Sequence, residues 1–123
     1  MTPPPAEKID GTLEVGTSGY QYDHWIGVLY DEDLPTDRWL PRYAEEFDSV
    51  EINNTFYHLP SRETFETWNE RTPEGFTFTL KYSRYATHRK KLKDPQEVLA
   101  NFLSAAEPLT GRIASILVQL PPN

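Results

Sequence analysis

No cysteine occurs anywhere in the 123 residues, which excludes disulfides, thiolate metal sites and cysteine nucleophiles together. Long apolar runs are also missing. None approaches the roughly 20 residues of a membrane-spanning helix, and "MTPPPAEKIDG" at the start has neither the basic nor the apolar stretch of a secretory signal. A soluble, cytoplasmic protein with no membrane partner is the expectation. Positive charge is scarce: twelve Lys and Arg face nineteen Asp and Glu, a net −7, so the surface as a whole does not suit nucleic acid or a lipid headgroup layer. Half of those cations fall between Phe76 and Lys93, where there is no acid at all. The basic segment is therefore a local feature of an acidic chain.

The length suits one domain with a substantial core. Residues 1–10, with three consecutive prolines, read as a disordered arm, and 11–123 as the folded unit. Four β-type runs recur, at Thr12–Gly16, Ser49–Asn53, Phe76–Tyr82 and Ile113–Leu120. Three helical patterns separate them. Around Thr36 to Phe47, Trp39, Tyr43 and Phe47 stand four residues apart, with Pro41 predicting an irregular or 3₁₀ start. A second pattern runs from an N-cap at Ser61 to about Arg71, with Phe65 and Trp68 inward. A third opens with Asp94, Pro95 and Glu97 as a capping box ahead of Val98, Leu99, Phe102, Leu103 and Ala106.

Strand and helix in alternation, with crossovers of this length, predict parallel βαβ units and an α/β fold. In the second strand Val50 and Ile52 alternate with Glu51 and Asn53; in the third, Phe78, Leu80 and Tyr82 alternate with Thr77, Thr79, Lys81 and Ser83. A doubly wound sheet, covered on both faces, would read as nearly continuous apolar runs. A polar set on one face fits the interior of a barrel near its C-terminal mouth. A complete (β/α)8 barrel needs about 250 residues, so the chain is predicted to be half of a TIM barrel, four parallel strands with three covering helices. Because it stops directly after a strand at "VQLPPN", we expect a fragment, a truncated gene, or a half that self-associates or pairs with a missing C-terminal half.

The segments "VGTSGYQYDHWIGVLY" (Val15–Tyr30), "FDSVEINNTFYHLPSRETFETW" (Phe47–Trp68), "TPEGFTFTLKYSRYATH" (Thr72–His88) and "VQLPPN" (Val118–Asn123) resemble the N-terminal half of the YecE-like family, domain of unknown function seventy-two. That resemblance implies a TIM-barrel fold distantly similar to the xylose-isomerase and endonuclease IV barrels, and it leaves the activity open. Tyr20 stands where the family usually has Trp, and Leu29-Tyr30-Asp31 where it tends to have Phe-Tyr-Pro. Site residues on later strands of the family are absent from this chain.

TIM barrels build their sites at the C-terminal ends of the strands, and four clusters lie there. Gly16-Thr17-Ser18-Gly19-Tyr20 is either a tight turn or an anion cradle; it lacks the Gly-Lys-Ser/Thr ending of a P-loop, and a Gly-x-Ser-x-Gly elbow is absent. In the second cluster Glu51 and Asn53 share a strand face and continue into Asn54, Thr55 and Tyr57. A barrel-lining carboxylate can serve as acid or base, so Glu51, Lys81 and Asn53 are the candidate catalytic residues; the bland alternative is a buried Glu51–Lys81 ion pair that only fills the barrel. The third cluster, "KYSRYATHRKKLK", supplies Ser83, Arg84 and His88 as ligand contacts, while Arg89 to Lys93 read as solvated surface. In the fourth, Tyr22 and Trp25, with Tyr20, are candidates to stack on a ligand, and Gln119 to complete the polar ring. His24, His58 and His88 all follow strands, yet no helix-spaced pair marks a metal site, and none is assigned.

These features favour an enzyme half-domain acting on an anionic small molecule, a sugar phosphate or a nucleic-acid fragment, at the barrel mouth. A non-catalytic nucleic-acid-binding module and a metal-dependent hydrolase are the competing readings. No particular cofactor is indicated.

Overall fold

The computed structural model describes residues 11–90, 93 and 95–122; the expected arm at 1–10, the Asp94 cap and Lys91 lie outside them. Four strands, β1 (Gly16–Ser18), β2 (Ser49–Ile52), β3 (Thr77–Lys81) and β4 (Ile113–Leu117), form one sheet in the order β1-β2-β3-β4. Every pairing is parallel, and each strand neighbours the next in sequence. The half-barrel architecture expected from the alternation of elements is present.

Three helices make the crossovers: α1 (Trp39–Glu46), α3 (Arg62–Glu70) and α4 (Pro95–Ala105). A single helical turn, α2 (Asn54–Tyr57), follows β2 directly and was not expected. The awkward proline is accommodated as foreseen. A 3₁₀ turn at Thr36–Arg38 precedes α1, and Pro41 occupies its third residue, where the missing N–H is one the helix would leave unbonded anyway. Ser61 caps α3, its hydroxyl accepting from the Thr64 amide at 3.2 Å.

The apolar set of each strand lies under the helices. Val50, Ile52, Phe78 and Leu80 join Trp39, Leu40, Tyr43, Phe65, Trp68 and Phe102 in one buried cluster. Ring contacts dominate it. Trp39 stacks on Tyr30 at 4.5 Å between centroids and Tyr43 on Phe47 at 4.7 Å, while Phe65 meets Trp68 edge-on at 5.2 Å.

The first strand begins later than the run Thr12–Gly16 suggested. Pairing starts at Gly16, opposite Ser49, where a side chain could not fit: a Cβ there would stand 1.9 Å from the Ser49 carbonyl oxygen. The Gly19 amide then continues the ladder by donating to the Glu51 carbonyl at 2.8 Å.

Candidate functional site

The polar set turns to the face of the sheet opposite the helices, and the register gathers it into a layer. Ser18 lies beside Glu51, Glu51 beside Thr79, and Thr79 beside Ser115. The last pairing depends on an irregularity: Phe78 is opposite Ile113 but Thr79 is opposite Ser115, so one residue of β4 is skipped. Without that bulge the small alanine at 114 would take the place and Ser115 would point away.

The layer is held by hydrogen bonds. Asn53 Nδ2 donates to Ser18 Oγ at 2.7 Å, and Ser18 Oγ donates to Glu51 Oε1 at 3.0 Å. Thr79 and Ser115 hydroxyls meet at 2.9 Å. Ser18 is thus the relay between the acid and the amide. Sequence reasoning placed it in a tight turn or an anion cradle; only the register of the assembled sheet sets it beside Glu51.

The buried ion pair between Glu51 and Lys81 is not formed: among the described residues the ion pairs join Arg42 to Glu45 and Glu46, and Arg62 to Glu66 and Glu107. Register explains this. Glu51 pairs with Thr79 and Ile52 with Leu80, so Lys81 lies two residues beyond the partner of Glu51. Its Nζ sits 4.7 Å from the centre of the Phe56 ring instead.

Phe56 and Tyr57, delivered by α2, organise the cationic side of the site. The Arg84 guanidinium lies 5.7 Å from the Tyr57 ring centre, and His88 meets Phe56 edge-on at 5.3 Å. His88 comes from a wide π-type turn, Tyr85–Arg89, closed by the Lys90 amide donating to the Tyr85 carbonyl at 2.8 Å; such turns are frequent at functional sites. Thr87 Oγ1 contacts His88 Nδ1 at 2.8 Å and orients the ring. Lys81, Arg84, His88 and Tyr57 are therefore brought together, with Glu51, Asn53 and Ser18 adjoining.

Other candidates have structural duties. Thr55, assigned to ligand contact, is buried, and its single hydroxyl proton is within reach of the carbonyls of Lys81 at 2.6 Å and Ile52 at 3.0 Å; it ties the ends of β2 and β3. Tyr20 is largely buried, packed on Tyr43 at 6.2 Å, and burial raises its phenol above the ordinary value; what remains exposed of it lines a narrow cleft beside Asn53 and Trp68. Trp25 is half-buried and turns toward α1, parallel to Tyr43 at 6.4 Å, where it lines a cleft with Arg42, Glu46 and Phe47. Ser83 Oγ accepts from the Tyr85 amide at 3.1 Å and serves the turn. Gln119 is exposed beyond the end of β4 and joins none of these bonds. Tyr22, half-buried, donates its hydroxyl to the Ser18 carbonyl, and Asn54 is exposed at the head of α2.

The segment Gly16–Tyr20 is neither the expected tight turn nor an anion cradle: Gly16–Ser18 are strand β1, and the chain turns only after them, at Gly19 with φ of +80°. Its Thr17 amide donates to Tyr43 Oη at 2.7 Å and its Gly19 amide to the sheet, so neither is free for an anion. The histidines are kept apart: His24 packs on Tyr22 and Trp25, His58 is exposed after α2, and His88 rests on Phe56. Among the described residues no three His, Asp or Glu side chains converge as a cation site.

Comparison with known proteins bears on the family and the fold. The family model described as "Protein of unknown function DUF72" matches residues 14–123. The UPF0759 protein YecE of Escherichia coli K12 is 35% identical over 82 residues, 67% of this chain and 30% of that protein. The UPF0759 protein YunF of Bacillus subtilis 168 is 26% identical over 116 residues, 89% of this chain and 40% of that protein. Among solved structures, a DUF72 family protein from Thermotoga maritima MSB8 superposes with a TM-score of 0.73 at 38% identity, covering 88% of this chain and 44% of that one. One from Enterococcus faecalis V583, at 23% identity, gives 0.67 and shares the fold. The chain thus spans less than half the length of these relatives.

Proposed function

Because the chain belongs to the DUF72 family of proteins of unknown function, with no activity to carry over, we propose from its own side chains that the strand-end face binds an anionic substrate, a sugar phosphate or a nucleic-acid fragment. Lys81, Arg84 and His88 hold the anion, and Glu51, oriented by Ser18 and Asn53, is the acid or base. The observation that carries this reading is the mounting of the three basic side chains on the Phe56–Tyr57 pair. None of the ion pairs among the described residues uses Lys81 or Arg84, so their charge is available to a ligand. Aromatic support limits their rotamers and lowers the entropy lost on binding.

Titrating the chain with a phosphate-bearing ligand tests this. Arg84→Ala and Lys81→Met should each weaken binding by about 10-fold or more, the worth of a hydrogen bond to a charged group, and each should flatten the salt dependence. Glu51→Gln should leave affinity in place and abolish turnover. If affinity ignores both cation variants, the anion site is wrong. Turnover surviving Glu51→Gln removes Glu51 as the acid or base, and binding with no turnover in any variant favours the non-catalytic nucleic-acid-binding module.

The outer edges of β1 and β4 have no strand partner among the described residues, and apolar side chains beside them, Leu13, Val15, Leu117 and Val118, are exposed. Edges of this kind invite pairing. We propose that a further four-stranded half, a second copy of the chain or a missing C-terminal half, covers them and completes the mouth. Sedimentation of the isolated chain should then show species heavier than 14.3 kDa at micromolar concentration. A monomer that unfolds cooperatively would contradict it.

A further inference from the structure

Beside the cationic cluster runs a groove of different character. A narrow cleft of about 120 Å³ is lined by Gln21, Tyr22, Asn53, Asn54 and Trp68, among others. An adjoining one of about 430 Å³ is lined by Asn54, Tyr57, His58, Pro60, Thr64 and Trp68. Asn54 and Trp68 line both, so the two lie side by side. Neither contains an Asp, Glu, Lys or Arg, whereas clefts on the outer surface carry acids such as Glu97, Glu46 and Glu74. In a chain that is 25% charged, a groove walled by rings and carboxamides selects against ions. It favours a flat, uncharged group with donors and acceptors on its rim.

Tyr57 stands at the boundary. Its ring carries the Arg84 guanidinium and also walls the neutral groove. A ligand spanning Tyr57 therefore meets positive charge at one end and amides at the other. A carboxamide presents a donor and an acceptor side by side, the pattern of a nucleobase edge, and aromatic walls suit a π face better than a saturated sugar ring.

We infer that the groove between the β1 loop and the α2–α3 segment is a nucleobase subsite, with Asn54 and Gln21 reading the base edge and Tyr57 and Tyr22 flanking its plane. The inference rests on the anion site proposed above and narrows its ligand to a nucleotide or a nucleic-acid end.

The test is a set of NMR titrations of the full chain with adenosine 5′-monophosphate, adenosine, ribose 5-phosphate and inorganic phosphate, following the Trp68 indole and the Asn54 and Gln21 amides. The monophosphate should bind about tenfold more tightly than ribose 5-phosphate, the discrimination one good bidentate base contact supplies. Asn54→Ala, or Gln21→Ala in the loop outside the helices, should remove that advantage and leave ribose 5-phosphate unchanged. Equal affinity for the two phosphates, with ribose 5-phosphate still lost in Arg84→Ala, overturns the base subsite and keeps the anion site. Adenosine shifting the same signals while no phosphate ligand responds to Arg84→Ala does the reverse. Absence of binding by all four overturns both.

Discussion

Replacing Gly16 with alanine is expected to destabilise the fold by at least about 3 kcal/mol, from overpacking and lost ladder bonds together. The added Cβ would lie 1.9 Å from the Ser49 oxygen and 2.6 Å from its carbon. Both atoms are backbone, so no rotamer change relieves the clash; β1 has to withdraw from β2. With it go the Gly16–Ser49 register, the Gly19 contact to Glu51 and the Ser18 relay. Gly75 is the control. It has φ of +90° with nothing within 4 Å of an added Cβ, so its alanine variant meets only the left-handed backbone penalty of about 1–2 kcal/mol. Urea titration of the two variants separates steric from conformational cost. Equal midpoints would mean that β1 does not approach β2 as described.

The second large effect is expected at Tyr43. Its ring is fully buried between Phe47, Trp25, Tyr20 and Phe76. Its hydroxyl accepts from the Thr17 amide at 2.7 Å and from Thr17 Oγ1 at 2.9 Å, and donates to the Ser49 carbonyl at 2.8 Å. One side chain of α1 thus joins β1 to β2. Burial holds its phenol above the usual tyrosine range, with the Thr17 bonds opposing that rise, so it remains a donor at neutral pH. Tyr43→Ala should cost about 3–5 kcal/mol for the buried ring, with the stranded Thr17 and Ser49 groups adding to it. Tyr43→Phe keeps the ring and isolates the second part, about 1–3 kcal/mol. Thermal unfolding should rank wild type, Tyr43→Phe and Tyr43→Ala in that order. A phenylalanine variant as stable as wild type would show that the hydroxyl bridge contributes nothing.

What could be read in advance follows from what is local. The alternation of Val50 and Ile52 with Glu51 and Asn53 reports which face each side chain takes, because side-chain direction in a strand has period two. Three helices announced themselves through Trp39 and Tyr43, through the Ser61 cap, and through Pro95. The extent of β1 did not, since only the close approach permitted by Gly16 decides where pairing begins. Nor did α2: Asn53 to Tyr57 has no helical period of its own, and it forms where Thr55 can bond the ends of two strands. The neighbour of Lys81 was hidden for the same reason, because register between strands is a property of the assembled sheet. Trp68 shows the limit most clearly. Its helical spacing marked it as core, and it is core, yet its edge also walls the neutral groove.

Strand order in space repeats strand order in the chain, and this bears on how the molecule is made. Each new βα unit leaving the ribosome meets the edge of the one before it, with no later segment needed as a template between them. Growth can proceed by accretion from the N-terminal side, each added strand burying the apolar row of its predecessor's helix.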